Sequence, residues 1–244
     1  YMSYEEEYLS MSDVNQCPFF NTCDKVGTTS CTMHCVEADY YRYMLYSSKL
    51  PNKLKRNPPL YFDTYKDKTC VDKLKYILAN IVDFVRNGYN VYLYGSPGTG
   101  KTAWAGKFMT YYFEHILPDV HSREMHGLYV NVPNLLFSLK FDMGNYSTEF
   151  RNFIRQLNTV DLIIWDDLYQ SMSSAYDIQT LYNLINSRID NEKSNIYTSN
   201  VSPQNISRTD FRMFSRLCAT SDCIELIGDD MRKSWVNYTD NMNI

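Results

Sequence analysis

The stretch Gly95-Ser96-Pro97-Gly98-Thr99-Gly100-Lys101-Thr102 decides the fold of this chain. It matches the phosphate-binding pattern G-x-x-x-x-G-K-[ST] at every fixed position. The apolar residues 91–94 before it predict a β-strand, and residues 103–115 after it predict a helix. In that setting the glycines let backbone N–H groups surround an anion, with the positive end of the helix dipole behind them. We therefore predict a nucleoside triphosphate site in which Lys101 contacts the phosphates and Thr102 ligates Mg²⁺.

A second motif is an apolar segment that ends in two acids, residues 160–167 with the sequence VDLIIWDD. A phosphate loop followed at this distance by such a strand is typical of a Walker B arrangement. Asp166 is then predicted to hold Mg²⁺, directly or through water, and Asp167 to polarise the attacking water. Trp165 either packs under the nucleotide or fills the core.

Polar and basic residues later in the chain extend this site. Asn200 follows a predicted strand, residues 194–199, where it either holds the attacking water or forms a turn. Arg208, Arg212 and Arg216 recur at four-residue steps on a predicted helix. An exposed arginine row suits a ring of chains, in which an arginine reaches the γ-phosphate of the neighbouring subunit.

The rest of the pattern alternates strands with helices, which predicts a parallel α/β sheet sandwiched between helices. Predicted helices span residues 71–87, 135–141, 148–157 and 176–191, with Gly88 as a C-cap and Ser173 or Ser174 as an N-cap. Further strands are predicted at residues 127–132 and 224–227.

The composition limits the class of protein. Hydrophobic residues make up 44% of the chain and charged residues 21%, which are ordinary values for a globular protein with a core. The net charge of −4 argues against general nucleic-acid binding, although a local basic track remains compatible with it. No apolar run has the length of a membrane span and no secretory signal is recognisable, so we expect a cytoplasmic protein.

Four cysteines near the start have the spacing C-x5-C-x7-C-x3-C: Cys17, Cys23, Cys31 and Cys35. Four soft ligands suit a tetrahedral structural Zn²⁺ site, with an iron–sulfur cluster or free thiols as alternatives. A segment this short also struggles to fold without a staple such as a metal. We predict a zinc-binding module at residues 1–46, a linker at 47–69 and a nucleotide-binding domain at 70–244.

From about residue 59 to 235 the chain resembles the AAA+ ATPase domain of replicative helicase loaders of the DnaC/DnaI type, with the transposon-associated IstB proteins as close kin. Five segments carry the resemblance: 95–102 as Walker A, 163–167 as Walker B, 198–200 as sensor 1, 215–217 as the arginine-finger segment and 228–232 as sensor 2. The resemblance implies a five-stranded parallel P-loop sheet without a C-terminal helical lid.

The same resemblance implies an activity and partners. The protein would be an ATPase that loads a hexameric replicative DNA helicase onto single-stranded DNA during replication initiation, and would assemble as a ring or spiral. Arg216 would enter the neighbour's site and Arg232 would sense the γ-phosphate in its own subunit. The cysteine module would contact the helicase. Single-stranded DNA would run along inner helices, where Lys140, Arg151 and Arg155 are either contacts or ordinary surface charge.

Three other functions are compatible with parts of the sequence. An IstB-like transposition ATPase shares the ATPase motifs but usually lacks a cysteine-rich front module. A nucleotide-gated helicase adaptor would bind ATP and hydrolyse little. A small-molecule kinase would carry arginines on a lid over the phosphates, whereas the arginines here cluster late in the chain.

Overall fold

The computed structural model of the chain describes residues 23–24, 28, 35–55, 65–141, 148–169 and 174–231. Its centre is a five-stranded sheet in which every pairing is parallel, in the order β2-β3-β4-β1-β5. The strands are β1 (Asn90–Tyr94), β2 (Gly127–Asn131), β3 (Leu162–Leu168), β4 (Ser194–Ser199) and β5 (Ser221–Glu225). The predicted parallel α/β architecture is confirmed.

Helices cover both faces of this sheet. One face carries α1 (Val36–Ser47), α2 (Asn52–Lys55), α3 (Lys68–Ala79), α4 (Ile81–Arg86) and α5 (Lys101–Ile116). The other carries α6 (Val132–Phe141), α7 (Thr148–Thr159), α8 (Ala175–Asp190), α9 (Pro203–Thr209) and α10 (Phe211–Leu217). None of the helices in the described ranges combines the length and the apolar character needed to cross a membrane.

Strand alternation divides the core into two layers. In β1, Val91 and Leu93 pack against the first set of helices, and Tyr92 packs against the second. Because both faces are covered, β1, β3 and β4 are almost wholly buried, and their polar residues, such as Asp166 and Thr198, are buried with them. Trp165 lies in the second layer without exposure and donates its indole N–H to Asn195 Oδ1 at 3.0 Å, so it fills the core.

The helix predicted at residues 71–87 is two helices. Asp67 caps α3 by accepting the backbone N–H of Thr69 at 2.8 Å, and the chain breaks at Asn80 before α4 begins. Gly88 follows with a left-handed φ of 66°, and a side chain there would collide with the carbonyl of Glu192. A glycine is therefore required at this turn, as predicted from its position after the helix.

The fifth strand starts earlier than predicted, at Ser221 rather than Ile224. Pairing with β1 places Asn90 opposite Ser221 and Tyr94 opposite Glu225. Because β5 is an edge strand in which Ile224 alone is buried, its polar first residues form no apolar run that would reveal it in the sequence.

The segment before the nucleotide-binding domain packs on that domain. Tyr41 and Met44 of α1 and Leu54 of α2 are buried in the same core as α5. The carbonyl of Ser48, just after α1, accepts the backbone N–H of Tyr129 in β2 at 2.7 Å. The boundaries predicted at residues 46 and 69 stay predictions, but α1 and α2 contribute to the core of the α/β fold.

Candidate functional site

The phosphate loop joins the end of β1 to the start of α5, as predicted. Lys101 is the first residue of α5 and is only 8% exposed. Its ammonium donates to the carbonyls of Gly95 at 2.9 Å and Ser96 at 2.8 Å. A phosphate group would be a stronger acceptor than these carbonyls because the hydrogen bonds would then join two opposite charges. The loop therefore holds a cation that can exchange its partners for an anion.

A tyrosine that the sequence did not single out supports the loop from below. Tyr65 is buried, donates its hydroxyl to the carbonyl of Thr99 at 3.0 Å, and accepts the indole N–H of Trp104 at 3.0 Å. The backbone of Tyr65 also forms an antiparallel bridge with Gly228. The loop is thus fixed to α5 and to the chain on both sides of it.

The predicted sensor 2 segment lies on the loop. The backbone N–H of Met231 donates to the carbonyl of Gly98 at 3.0 Å. Gly98 has a φ of 83°, and a side chain there would overlap the carboxylate of Asp230. The next residue, Arg232, lies outside the described residues, so its role as a sensor stays a prediction.

Asp166, at the end of β3, is the centre of a buried hydrogen-bond cluster. It is 4% exposed. Its Oδ1 accepts the hydroxyls of Thr102 at 2.8 Å and Thr198 at 2.6 Å, and its Oδ2 accepts the hydroxyl of Tyr129 at 2.6 Å. The structure thus brings together Thr102 and Asp166, the two residues predicted to hold Mg²⁺.

Tyr129 is a site residue that the sequence reasoning missed, and Thr198 was included only as part of the predicted sensor 1 segment. Burial first, and then the negative charge of Asp166, raises the pKa of Tyr129 well above its usual value, so the phenol remains a proton donor. Both contacts cross between neighbouring strands. Their only signal in the sequence is a polar side chain inside a buried strand, and that signal needs the strand order before it can be interpreted.

Asp167 has a left-handed backbone, with a φ of 57°, which is uncommon for a residue other than glycine. Its N–H donates to the hydroxyl of Thr198 at 3.2 Å, and the ladder between β3 and β4 is irregular from Trp165 to Leu168. Such strained residues cluster at functional sites. Unlike Asp166, Asp167 is partly exposed, which suits a group that must reach water.

Asn200 stands on an exposed bend just after β4. Thr198, two residues earlier in the predicted sensor 1 segment, is the residue that contacts Asp166. The predicted role of Asn200 in holding water stays a prediction.

The arginine row divides between two helices. Arg208 lies on α9, whereas Arg212 and Arg216 lie on α10. Arg216 Nη1 is 3.9 Å from Asp190 Oδ1, and its side chain is 37% exposed. Asp190 ends α8 just before β4 starts. Arg216 therefore lies where the parallel strands begin, at the amino edge of the sheet, whereas the phosphate loop lies where β1 ends. It is therefore placed away from the loop of its own subunit.

The three candidate DNA contacts differ. The ammonium of Lys140 forms an ion pair with the buried Asp177 at 2.8 Å. Asp177 completes the capping box of α8 with Ser174, so Lys140 has a structural partner. Arg151 and Arg155 are exposed on α7, and Arg155 donates to Asn152 at 3.2 Å on the same helix.

The predicted zinc site cannot be assembled from described residues, because Cys17 and Cys31 lie outside them. Cys23 and Cys35 are described and form no disulfide. Within the described ranges, no group of three or more His, Cys, Asp or Glu side chains is placed to hold a metal. The zinc module stays a prediction.

Comparisons with known proteins agree with this geometry. A family model described as IstB-like ATP binding protein matches residues 47–235. A comparison with curated protein sequences finds no significant match.

Among solved structures, the DnaC helicase loader is 21% identical with a TM-score of 0.55, over 70% of this chain and 99% of that chain. DnaI is 18% identical with a TM-score of 0.59, over 75% and 95%. The replication initiator DnaA bound to AMPPCP and single-stranded DNA is 18% identical with a TM-score of 0.54, over 74% and 52%. At these identities the likeness establishes the fold.

Proposed function

The chain belongs to the IstB-like ATP-binding protein family, as an AAA+ protein of the IstB/DnaC type, and from this premise we propose that it uses ATP to load a hexameric replicative helicase onto single-stranded DNA. The contact between Thr102 and Asp166, directly behind the phosphate loop, is the observation that carries the ATPase part of the proposal.

The side chains present fit a magnesium nucleotide. Two oxygens on adjacent positions of an octahedral Mg²⁺ shell are about 2.9 Å apart. Thr102 Oγ1 and Asp166 Oδ1 are 2.8 Å apart, so these two atoms are the candidate protein ligands. Bound Mg²⁺ would supply positive charge against the phosphate oxygens of ATP.

The other residues of the site take complementary roles. Lys101 would exchange its two carbonyl partners for phosphate oxygens. Asp167 would accept a proton from the attacking water, which Asn200 would help to hold. Arg232 would sense the γ-phosphate from the same subunit.

Arg216 completes the site from a neighbouring subunit. Because it lies at the amino edge of the sheet, it suits the γ-phosphate of an adjacent copy in a ring or spiral. We expect Arg216→Ala to lower turnover in the assembled state by about 10³-fold or more, the effect of losing an arginine finger, while nucleotide affinity is kept.

Arg212→Ala is the matched control, since Arg212 lies one turn earlier on α10 and its side chain is 67% exposed. Steady-state ATPase assays at protein concentrations that favour assembly measure both variants. Equal turnover of Arg216→Ala and wild type would exclude the finger role.

The helicase part of the proposal is supported by the sequence motifs and by the fold shared with the DnaC helicase loader. The proposed binding of single-stranded DNA is supported by the fold shared with the DnaA initiator, whose structure contains single-stranded DNA. Lys140 is a weak candidate for a DNA contact, because its ammonium is paired with the buried Asp177.

Co-purification with a candidate ring helicase, with and without ATP, tests this part. We expect a complex whose stability changes with nucleotide, and Lys101→Ala should abolish that change. Absence of a complex in both states would remove the loader function. Turnover stimulated by duplex but not by single-stranded DNA would favour the transposition ATPase, and a stable complex with negligible turnover would favour the adaptor.

A further inference from the structure

We propose that Tyr129 is a positioning residue for Asp166: its hydroxyl fixes Oδ2 so that Oδ1 faces Thr102 and the metal. The inference deepens the proposed function and rests on it. It is carried by the 2.6 Å hydrogen bond from Tyr129 to Asp166 and by the near-complete burial of that carboxylate.

The strand register explains how Tyr129 reaches this acid. Tyr129 in β2 stands opposite Ile164 in β3, and Asp166 lies two residues further along β3 on the same face. Diagonal neighbours across a ladder are within reach of a long aromatic side chain. A shorter hydroxyl residue at position 129 would not span this gap.

The three hydroxyl donors bind different oxygens of the Asp166 carboxylate. Thr102 and Thr198 both donate to Oδ1, whereas Tyr129 alone among the described contacts donates to Oδ2. Without the Tyr129 hydroxyl, Oδ2 would lose that bond inside a buried site and the carboxylate could turn about its last torsion. Partners behind a metal ligand set its orientation in this way, and removing one lowers metal affinity.

Tyr129 is itself held firmly. Its ring packs against the core under the first set of helices. Its backbone N–H donates at 2.7 Å to the carbonyl of Ser48, which is fully buried at the end of α1. The segment after α1 therefore fixes the main chain of Tyr129 on edge strand β2, and the rigid ring transmits that position to its hydroxyl.

Tyr129→Phe tests the proposal because it removes one oxygen and keeps the ring. Binding of a fluorescent, non-hydrolysable ATP analogue is measured in EDTA and then across a Mg²⁺ titration. We expect unchanged binding in EDTA and a Mg²⁺ midpoint raised about tenfold. Electron paramagnetic resonance of Mn²⁺, in the presence of the same analogue, reads metal occupancy without depending on turnover.

In steady-state assays the variant should recover most of its kcat at saturating Mg²⁺, because the defect lies in metal affinity. Tyr112→Phe is the matched control: Tyr112 is also buried and donates to a carboxylate, Asp161, but at the opposite edge of the sheet. Its hydrogen bond is longer, at 3.4 Å, so Tyr112→Phe should lose less thermal stability and keep the wild-type Mg²⁺ midpoint. Tyr129→Leu, which fills the core without a hydroxyl, should reproduce the shift if the phenylalanine variant folds poorly.

The outcomes separate the two proposals. Wild-type protein that binds no nucleotide in Mg²⁺ would overturn both. Wild-type protein that binds, with Tyr129→Phe showing the same or a lower Mg²⁺ midpoint, would overturn the positioning role alone. Equal weakening in EDTA and in Mg²⁺ would also overturn it, because the residue would then act on the fold of the pocket and not on the metal ligand.

Discussion

Both ends of the parallel strands contain buried polar side chains, but these side chains are bonded in different ways. The amino edge is the end where the strands begin, and the carboxyl edge is the end where they finish, next to the phosphate loop. At the amino edge, the fully buried Arg188 donates to the carbonyls of Leu157, Val160 and Ser194 and to the Asn195 side chain, at 2.8–3.0 Å. At the carboxyl edge, Asp166 accepts three side-chain hydroxyls.

This difference distinguishes a cluster that stabilises the fold from a site that can bind a ligand. The partners of Arg188 are mostly backbone carbonyls, which cannot move without moving a strand or helix end. Burial lowers the pKa of Arg188 to about 10, so it stays protonated at neutral pH. The hydroxyl of Thr102 and the ammonium of Lys101 can rotate toward another partner. A ligand can therefore enter the carboxyl edge, whereas the Arg188 cluster at the amino edge stabilises the fold.

The largest expected effect is on stability at the amino edge. Arg188→Met should lower the free energy of unfolding by about 4 kcal/mol, because several buried carbonyls lose their donor at once. Urea denaturation measures it. Arg86→Met, which removes an exposed ion pair with Asp119, should cost about 1 kcal/mol or less. Similar losses in the two variants would show that the Arg188 cluster is not structural.

At the carboxyl edge the next effect should fall on binding. Lys101→Ala should weaken ATP affinity about 10- to 100-fold, since a charged hydrogen-bond donor is lost. The free energy of unfolding should change by only about 1 kcal/mol. Titration calorimetry and urea denaturation give the two values, and Lys107→Ala on the same helix is the control. A large loss of stability with intact ATP binding would reverse the comparison.

The smallest effect concerns Asp161, also at the amino edge. Burial alone would raise the pKa of Asp161, but hydrogen bonds from His126 and Lys193 outweigh it and hold the pKa below its ordinary value. Folding thus favours the ionised carboxylate. Its contribution is fully present above the ordinary carboxyl pKa of about 4 and is lost as the pH falls through the lower folded value.

Thermal melting of wild type and Asp161→Asn between pH 7 and pH 3 tests this. We expect an advantage of about 1 kcal/mol or less for wild type at pH 7, the range of partly exposed ion pairs, that shrinks toward pH 3. A stability difference between the two proteins that stays constant with pH would show that Asp161 contributes through packing and not through its charge. Nucleotide binding should be the same in both proteins at pH 7.

Sequence patterns predicted an element correctly where its residues are neighbours in the chain and form one local structure. Residues 194–199 were predicted as a strand and are β4, and the phosphate loop lies between a strand and a helix as expected. Periodicity was insufficient at Asn80, where one predicted helix is two, since a break of a single residue hardly disturbs the apolar spacing. Edge strand β5 was placed late because its first residues are polar.

The site was only half predictable for a different reason. Thr102 and Asp166 belong to motifs with fixed local spacing. Tyr129 and Thr198 reach Asp166 only because β2 and β4 are the neighbours of β3, and this order follows from packing of the whole sheet. The packing of α1 against α5 was missed likewise, because contacts between distant segments leave no local pattern.

The proposal that neighbouring subunits share a nucleotide site is tested most directly by mixing two variants. Lys101→Ala keeps Arg216 but loses its own phosphate contact, and Arg216→Ala keeps an intact loop but cannot serve its neighbour. Each variant alone should hydrolyse ATP poorly, and the mixture should regain turnover because one subunit's arginine completes the other's loop. A mixture no more active than the sum of its parts, with Arg216→Ala alone as active as wild type, would show that each subunit hydrolyses ATP by itself.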